Sequence, residues 1–113
     1  MGTNMLNRQP IRIDSISMNH VESRATLGLI MPELGLWVSE VLQARLRRRL
    51  NEYVTVIKGG ELERAYPQTA GAGVRIALSY AAPPNIEAYA ILDRIAVQLG
   101  RLGIGFSGTF LDG

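Results

Sequence analysis

Hydrophobic residues return along this chain with two different periods. "ATLGLIM" (25–31) alternates, with Ala25, Leu27, Leu29 and Met31 on one side, the spacing of a strand that buries one face. "VRIALSY" (74–80) alternates more cleanly, with Val74, Ile76, Leu78 and Tyr80 opposed to Arg75, Ala77 and Ser79. Between these runs the period lengthens. Val38, Leu42, Leu46, Leu50, Tyr53 and Ile57 step by four, four, four, three and four, which is one stripe of an α-helix from about Trp37 to Lys58. Lys58 and Gly59-Gly60 are its stop. A second helix is expected over 86–100, N-capped by Asn85, with Glu87 in its first turn. Its apolar side is Ala88, Ile91, Leu92, Ile95, Ala96 and Leu99, and Gly100 or Gly103 ends it.

The two ends of the chain add strands. "IGFSGTFL" (104–111) puts Ile104, Phe106 and Phe110 in phase. "IRIDSISM" (11–18) holds Ile11 and Ile13 in one phase and Ile16 and Met18 in the other, which implies a strand with a bulge or phase change near Ser15. The polar turn "NHVESR" (19–24) makes an antiparallel hairpin of it and the strand that follows. "ELERAYPQTAGAG" (61–73) reads as a helical turn stopped by Pro67 and then a loop of small residues.

The element order is therefore ββαβαβ: a two-layer α/β (α+β) sandwich, with a four-stranded mixed sheet and two helices on one face. Right-handed crossovers are met by the strand order 2-1-3-4. The other sheet face would carry Arg75, Ala77, Ser79, Ser107 and Thr109. Residues 1–10 are expected as a mobile tail and 11–113 as a single domain.

Composition narrows the chemistry. Charged residues make up 19% of the 113 positions, below the usual ~25% of a globular protein. There is no cysteine, and so no disulfide framework, thiol nucleophile or cysteine metal cluster. "MGTNMLNRQP" has no apolar leader region, and no apolar run approaches the ~18 residues of a membrane helix. A cytoplasmic protein without membrane contact is the expectation. The pI of about 9.4 meets the usual cue for a nucleic-acid-binding domain. The net charge is only +2, so any strong field must come from clustering.

The cluster that offers itself is "RLRRRLNEY" (45–53), where Arg45, Arg47, Arg48 and Arg49 fill four of five positions. On a wheel of ~100° per residue they surround the Leu46 stripe instead of forming one ridge. Arg48 is placed to pair with Glu52 at i+4, and the stems of Arg45 and Arg49 can lie along the edge of the stripe. A helix that reads DNA needs its cations on one exposed face, so a solvated helix face is favoured. Aromatic stacking partners are few as well: Tyr53, Tyr80, Phe106 and Phe110 all have core-facing phases.

Other constellations lead back to structure. "GIGFSG" (103–108) spells G-x-G-x-x-G, yet it follows a helix and precedes none, so it lacks the helix N-terminus that receives a pyrophosphate. "GAG" (71–73) has no Lys-Ser/Thr behind it and reads as a turn. His20, the only histidine, stands in the hairpin turn without the further ligands a metal would need. None of the serines sits in a G-x-S-x-G elbow. Glu61 and Glu63 read as solvated loop residues. No catalytic, metal or cofactor residue is assigned, and no cofactor is expected. Trp37 is a candidate anchor for a partner, because tryptophan is enriched in binding hot spots; the alternative is that it covers the hairpin end.

The run "LNEYVTVIKGGELERAYP", followed by a glycine loop and "VRIALSY", resembles a group of small uncharacterised bacterial domains of unknown function. That group has a strand pair, an N-x-Y helix end, a G-x-L…YP element and a V-x-I strand before prolines. The matching positions are Asn51, Tyr53, Gly60, Leu62, Tyr66, Pro67, Gly73, Val74 and Ile76, with Asp14 and Trp37 beside them. The resemblance spans about residues 11–85 and implies no activity. Gly60 would be a helix stop and Tyr66-Pro67 a loop packing element. Arg47 and Arg48 depart from the pattern.

Three functional expectations follow. The leading one is a small non-catalytic interaction module, a homodimer through the open sheet face or the last strand, with Trp37, Arg47, Arg48 and Arg75 as possible contact residues. The second is a nucleic-acid binder using Arg45, Arg47, Arg48 and Arg49 with Arg75. The third is a small enzyme with a cleft near His20 and Asp14.

Overall fold

A computed structural model describes residues 13–31, 40–81 and 86–110. Its elements are β1 (Ser15–Asn19), β2 (Arg24–Met31), α1 (Glu40–Lys58), a short α2 (Glu61–Ala65), a 3-10 turn (Pro67–Thr69), β3 (Gly73–Tyr80), α3 (Ile86–Gly100) and β4 (Ile104–Phe110). The ββαβαβ sandwich is thus present, with α2 and the 3-10 turn where a turn and loop were expected. The expected tail at 1–10, the helix start at Trp37 and Val38, and the Asn85 cap lie outside the described residues.

The sheet order is β1-β2-β3-β4, which corrects the expected 2-1-3-4. β2 pairs with β1 antiparallel and with β3 in parallel, and β4 joins β3 in parallel. The reason lies in burial. Every second residue of β2 is buried (Ala25, Leu27, Leu29, Met31), so β2 needs a neighbour on each side. β1 has five residues, none fully buried, and suits an edge. The crossover through α1 then needs to step over only one strand spacing.

Register divides the sheet into two faces. Leu27, Ile76 and Phe106 stand side by side, as do Ala25, Val74 and Ile104. With Leu46, Leu50 and Tyr53 of α1 and Ala88, Leu92 and Leu99 of α3 they form the core under the helices. The predicted stripes of both helices are the ones buried. The other face carries Ser15 and Ser17 of β1, Thr26 and Gly28 of β2, Arg75, Ala77 and Ser79 of β3, and Gly105, Ser107 and Thr109 of β4, as expected from alternation.

The G-x-G-x-x-G run has a packing explanation at each glycine. Gly103 has φ 78°, a left-handed turn after α3 that glycine adopts without steric cost. The Arg75 side chain lies over Gly105, and Gly108 faces the helix layer, where an added Cβ would stand 3.3 Å from Tyr80 Cε1 and 3.5 Å from Leu92 Cδ1. The absence of a side chain at Gly108 lets α3 settle on β4.

Candidate functional site

The expected contact residues do not gather in one place. Arg47 and Arg48 are exposed on α1, in the helix layer. Arg75 is half-buried on the opposite sheet face, between Thr26 and Gly105 in register. The whole sheet separates it from the helix arginines. Trp37 lies outside the described residues. His20 is exposed in the turn after β1, whereas Asp14 precedes the other end of that strand. At about 3.3 Å per residue they are roughly 20 Å apart, so they do not share a cleft.

Arg49 is spent inside the molecule. Its Nη2 lies 3.1 Å and 3.2 Å from the two Asp14 carboxylate oxygens. Its Nη1 lies 3.4 Å from Glu52 Oε1, and its guanidinium sits 5.5 Å from the centre of the Tyr53 ring. Glu52 thus meets Arg49 at i+3, where a pairing with Arg48 at i+4 was expected. Replacing Arg47 and Arg48 together with glutamine should shift the unfolding free energy by no more than about 1 kcal/mol, because exposed charges of this kind contribute little; urea midpoints measured for both proteins check it.

Asp14 explains the phase change near Ser15. The regular strand begins only at Ser15, and Ile13 lies before it, half-buried against the core. Where β1 leaves β2, two backbone groups of β2 face the gap. Side chains take both. The Tyr53 hydroxyl donates to the Gly28 carbonyl (2.5 Å) and accepts from the Asp14 N–H (3.0 Å). Asp14 Oδ2 accepts from the Ile30 N–H at 2.7 Å. The phenol thus replaces a ladder rung and satisfies part-buried backbone groups at the point where the strand pairing ends. Burial pushes the Tyr53 hydroxyl pKa above its ordinary value; the Asp14 N–H bond and the Arg49 charge pull the other way. Asp14, Arg49 and Tyr53 form a structural tie whose polar groups face one another.

Two open features remain. One is the β4 edge with the sheet face beside it, which none of the described helices covers. The other is a cleft of about 460 Å³ between α1 and α3. Leu46 and Leu50 line it from α1, and Ile91, Ile95 and Leu99 from α3. Arg47 stands on one wall and Arg94 on the other, with Gln43, Asn51 and Gln98 supplying neutral polar groups. Sequence reasoning did not select Arg94. The available signal was its position three residues after Ile91 and one before Ile95, at the margin of the α3 stripe. Among the described residues, no group of three histidine, aspartate or glutamate side chains is placed to hold a metal ion, and no helix is long and apolar enough to cross a membrane.

A mixed sheet with two long helices on one face, in a ββαβαβ order, defines a small α/β sandwich. The chain belongs to the family of unknown function DUF6572, whose pattern it matches over residues 5–112. The match begins inside the segment expected as a tail and includes α3 and β4, beyond the 11–85 stretch that carried the resemblance. No curated protein and no solved structure matches the chain.

Proposed function

We propose that this chain is a non-catalytic protein-interaction module that pairs with a second copy of itself along β4. The observation that carries this reading is the edge. β4 is the outermost strand, seven residues long, with the sequence IGFSGTF. It has none of the lysines, prolines or inward charges that usually keep sheet edges apart. Gly105, Ser107 and Thr109 present it to the open face with little bulk. A two-fold axis beside β4 would join the two sheets into one, and two-fold dimers are the commonest closed assembly. Such pairing also suits the charge. The two Arg75 side chains would stand three strand spacings apart, about 14 Å, beyond the ~8 Å screening length of physiological salt. Stacking the open faces directly would bring them together.

Light scattering at high micromolar concentration should give twice the 12.4 kDa chain mass. Ser107→Lys with Thr109→Lys should return the single-chain mass without loss of fold, by placing like charges along the shared edge. A single-chain mass for the unaltered protein would end this reading, and a dimer indifferent to the two lysines would move the interface elsewhere.

A further inference from the structure

The cleft between the helices has a composition of its own. α3 lies close on β4, whereas α1 and α3 approach each other at few points. The gap leaves Val54, Ile91, Ile95 and Leu102 partly exposed to a common space, and protein interiors rarely leave such space unfilled. Its volume of about 460 Å³ falls within the ~300–1,000 Å³ of small-molecule sites, which are mostly apolar with a few placed polar groups. The charge is one-sided. Arg47 and Arg94 face the cleft from opposite walls, and no carboxylate lines it among the described residues. Glu52 is engaged by Arg49. The first twelve residues of the chain hold Arg8 and Arg12 and no acid, so they do not complement this charge.

We propose that the α1–α3 cleft binds a small amphipathic anion. An apolar body would lie on Val54, Ile91, Ile95 and Leu102, the lining side chains that keep free surface, and a carboxylate or phosphate head would sit between Arg47 and Arg94. Arginine suits that head, since its planar fork offers paired donors to either group. The apolar body provides most of the affinity through buried area. The two arginines, exposed at the rim, set the sign of the head group. The site is on the helix layer and does not depend on pairing through β4.

The test is calorimetric titration of the full chain with dodecanoate, dodecyl phosphate and dodecylammonium, each below its micelle concentration. One anion per chain is expected, with dodecylammonium at least about tenfold weaker; comparison of the two anions tells carboxylate from phosphate. Arg47→Gln with Arg94→Gln should weaken anion binding about fivefold, the scale of two rim-exposed charge contacts. Ile95→Trp should fill the cleft and abolish binding. Gln98→Phe, at an exposed rim position, does the same without touching the core, so a folding defect in the first variant leaves the question open to the second. Circular dichroism confirms that each variant is folded. The proposal is overturned if dodecylammonium binds as tightly as the anions, or if folded cleft-filling variants bind unchanged. It is equally overturned if the unaltered chain binds no anion saturably, as occupancy by its own residues 32–39, with Glu33 and Trp37, would produce.

Discussion

Leu46→Asp should leave the chain without a cooperative unfolding transition at room temperature. Leu46 is 2% exposed and is part of the core formed by both helices and the sheet. Truncating such a leucine to alanine already costs about 2–5 kcal/mol. The aspartate adds a carboxylate with no partner, which must either be buried charged or take up a proton, at a further cost of several kcal/mol. A domain of this kind has about 5–15 kcal/mol of total stability. Circular dichroism and urea titration should show loss of the fold. Two controls isolate the cause. Leu46→Met keeps the volume and should cost less than about 1.5 kcal/mol. Val41→Asp, at a position 68% exposed in the first turns of α1, should be neutral or slightly stabilising, because an acid there favours the helix dipole. If Leu46→Asp kept its midpoint, the assignment of the buried stripe would be wrong.

Tyr53→Ala should have the second largest effect, about 3–5 kcal/mol, the usual cost of removing a buried aromatic. Tyr53→Phe separates the ring from its hydroxyl. It leaves the Gly28 carbonyl and the Asp14 N–H without their partner and should cost about 1–3 kcal/mol. The hydroxyl also creates a pH dependence of known sign. Burial raises the Tyr53 pKa above 10.0 in the folded chain, so the folded state holds its proton longer than the unfolded state. The associated stability is fully present below the ordinary tyrosine pKa and is lost as pH rises through the folded value. Urea midpoints should therefore fall in the alkaline range, and Tyr53→Phe should fall less steeply. Tyr80, raised in the same direction by burial, would account for part of what remains in that variant. Parallel pH curves for the two proteins would show that the Tyr53 hydroxyl is not the titrating group.

What the sequence showed, and what it concealed, follows from range. Periodicity reports which side of an element is buried, so the stripes of α1 and α3 and the two faces of the sheet were legible from Leu46, Leu92, Ile76 and their neighbours. It does not report which strand lies beside which. The hairpin could be joined to β3 through either of its strands, and only the full alternate burial of β2 against the thin apolar content of β1 decides it. The mixed phase at 11–18 was a real signal with an undetermined cause. The cause lies far along the chain, in a phenol 39 residues beyond Asp14. The same holds for the cleft. Arg47 was visible as part of a run of arginines, but its facing residue, Arg94, belongs to another helix. The glycine motif, whose spacing fits a phosphate loop, was legible as structural because no helix follows it, and its roles are a turn after α3 and close contact beneath it.

The Asp14–Arg49–Tyr53 tie has a consequence for how the molecule opens. Edge hairpins normally fray by themselves, as the least stable part of a sheet. Here the open end of the hairpin is closed by side chains that belong to α1, since the Tyr53 hydroxyl bridges both strands and Arg49 holds the carboxylate that caps Ile30. Lifting β1 away from β2 at that end means detaching α1 as well. The first strand pair and the long helix, separated by residues 32–39 in the chain, are thereby joined into one cooperative opening unit.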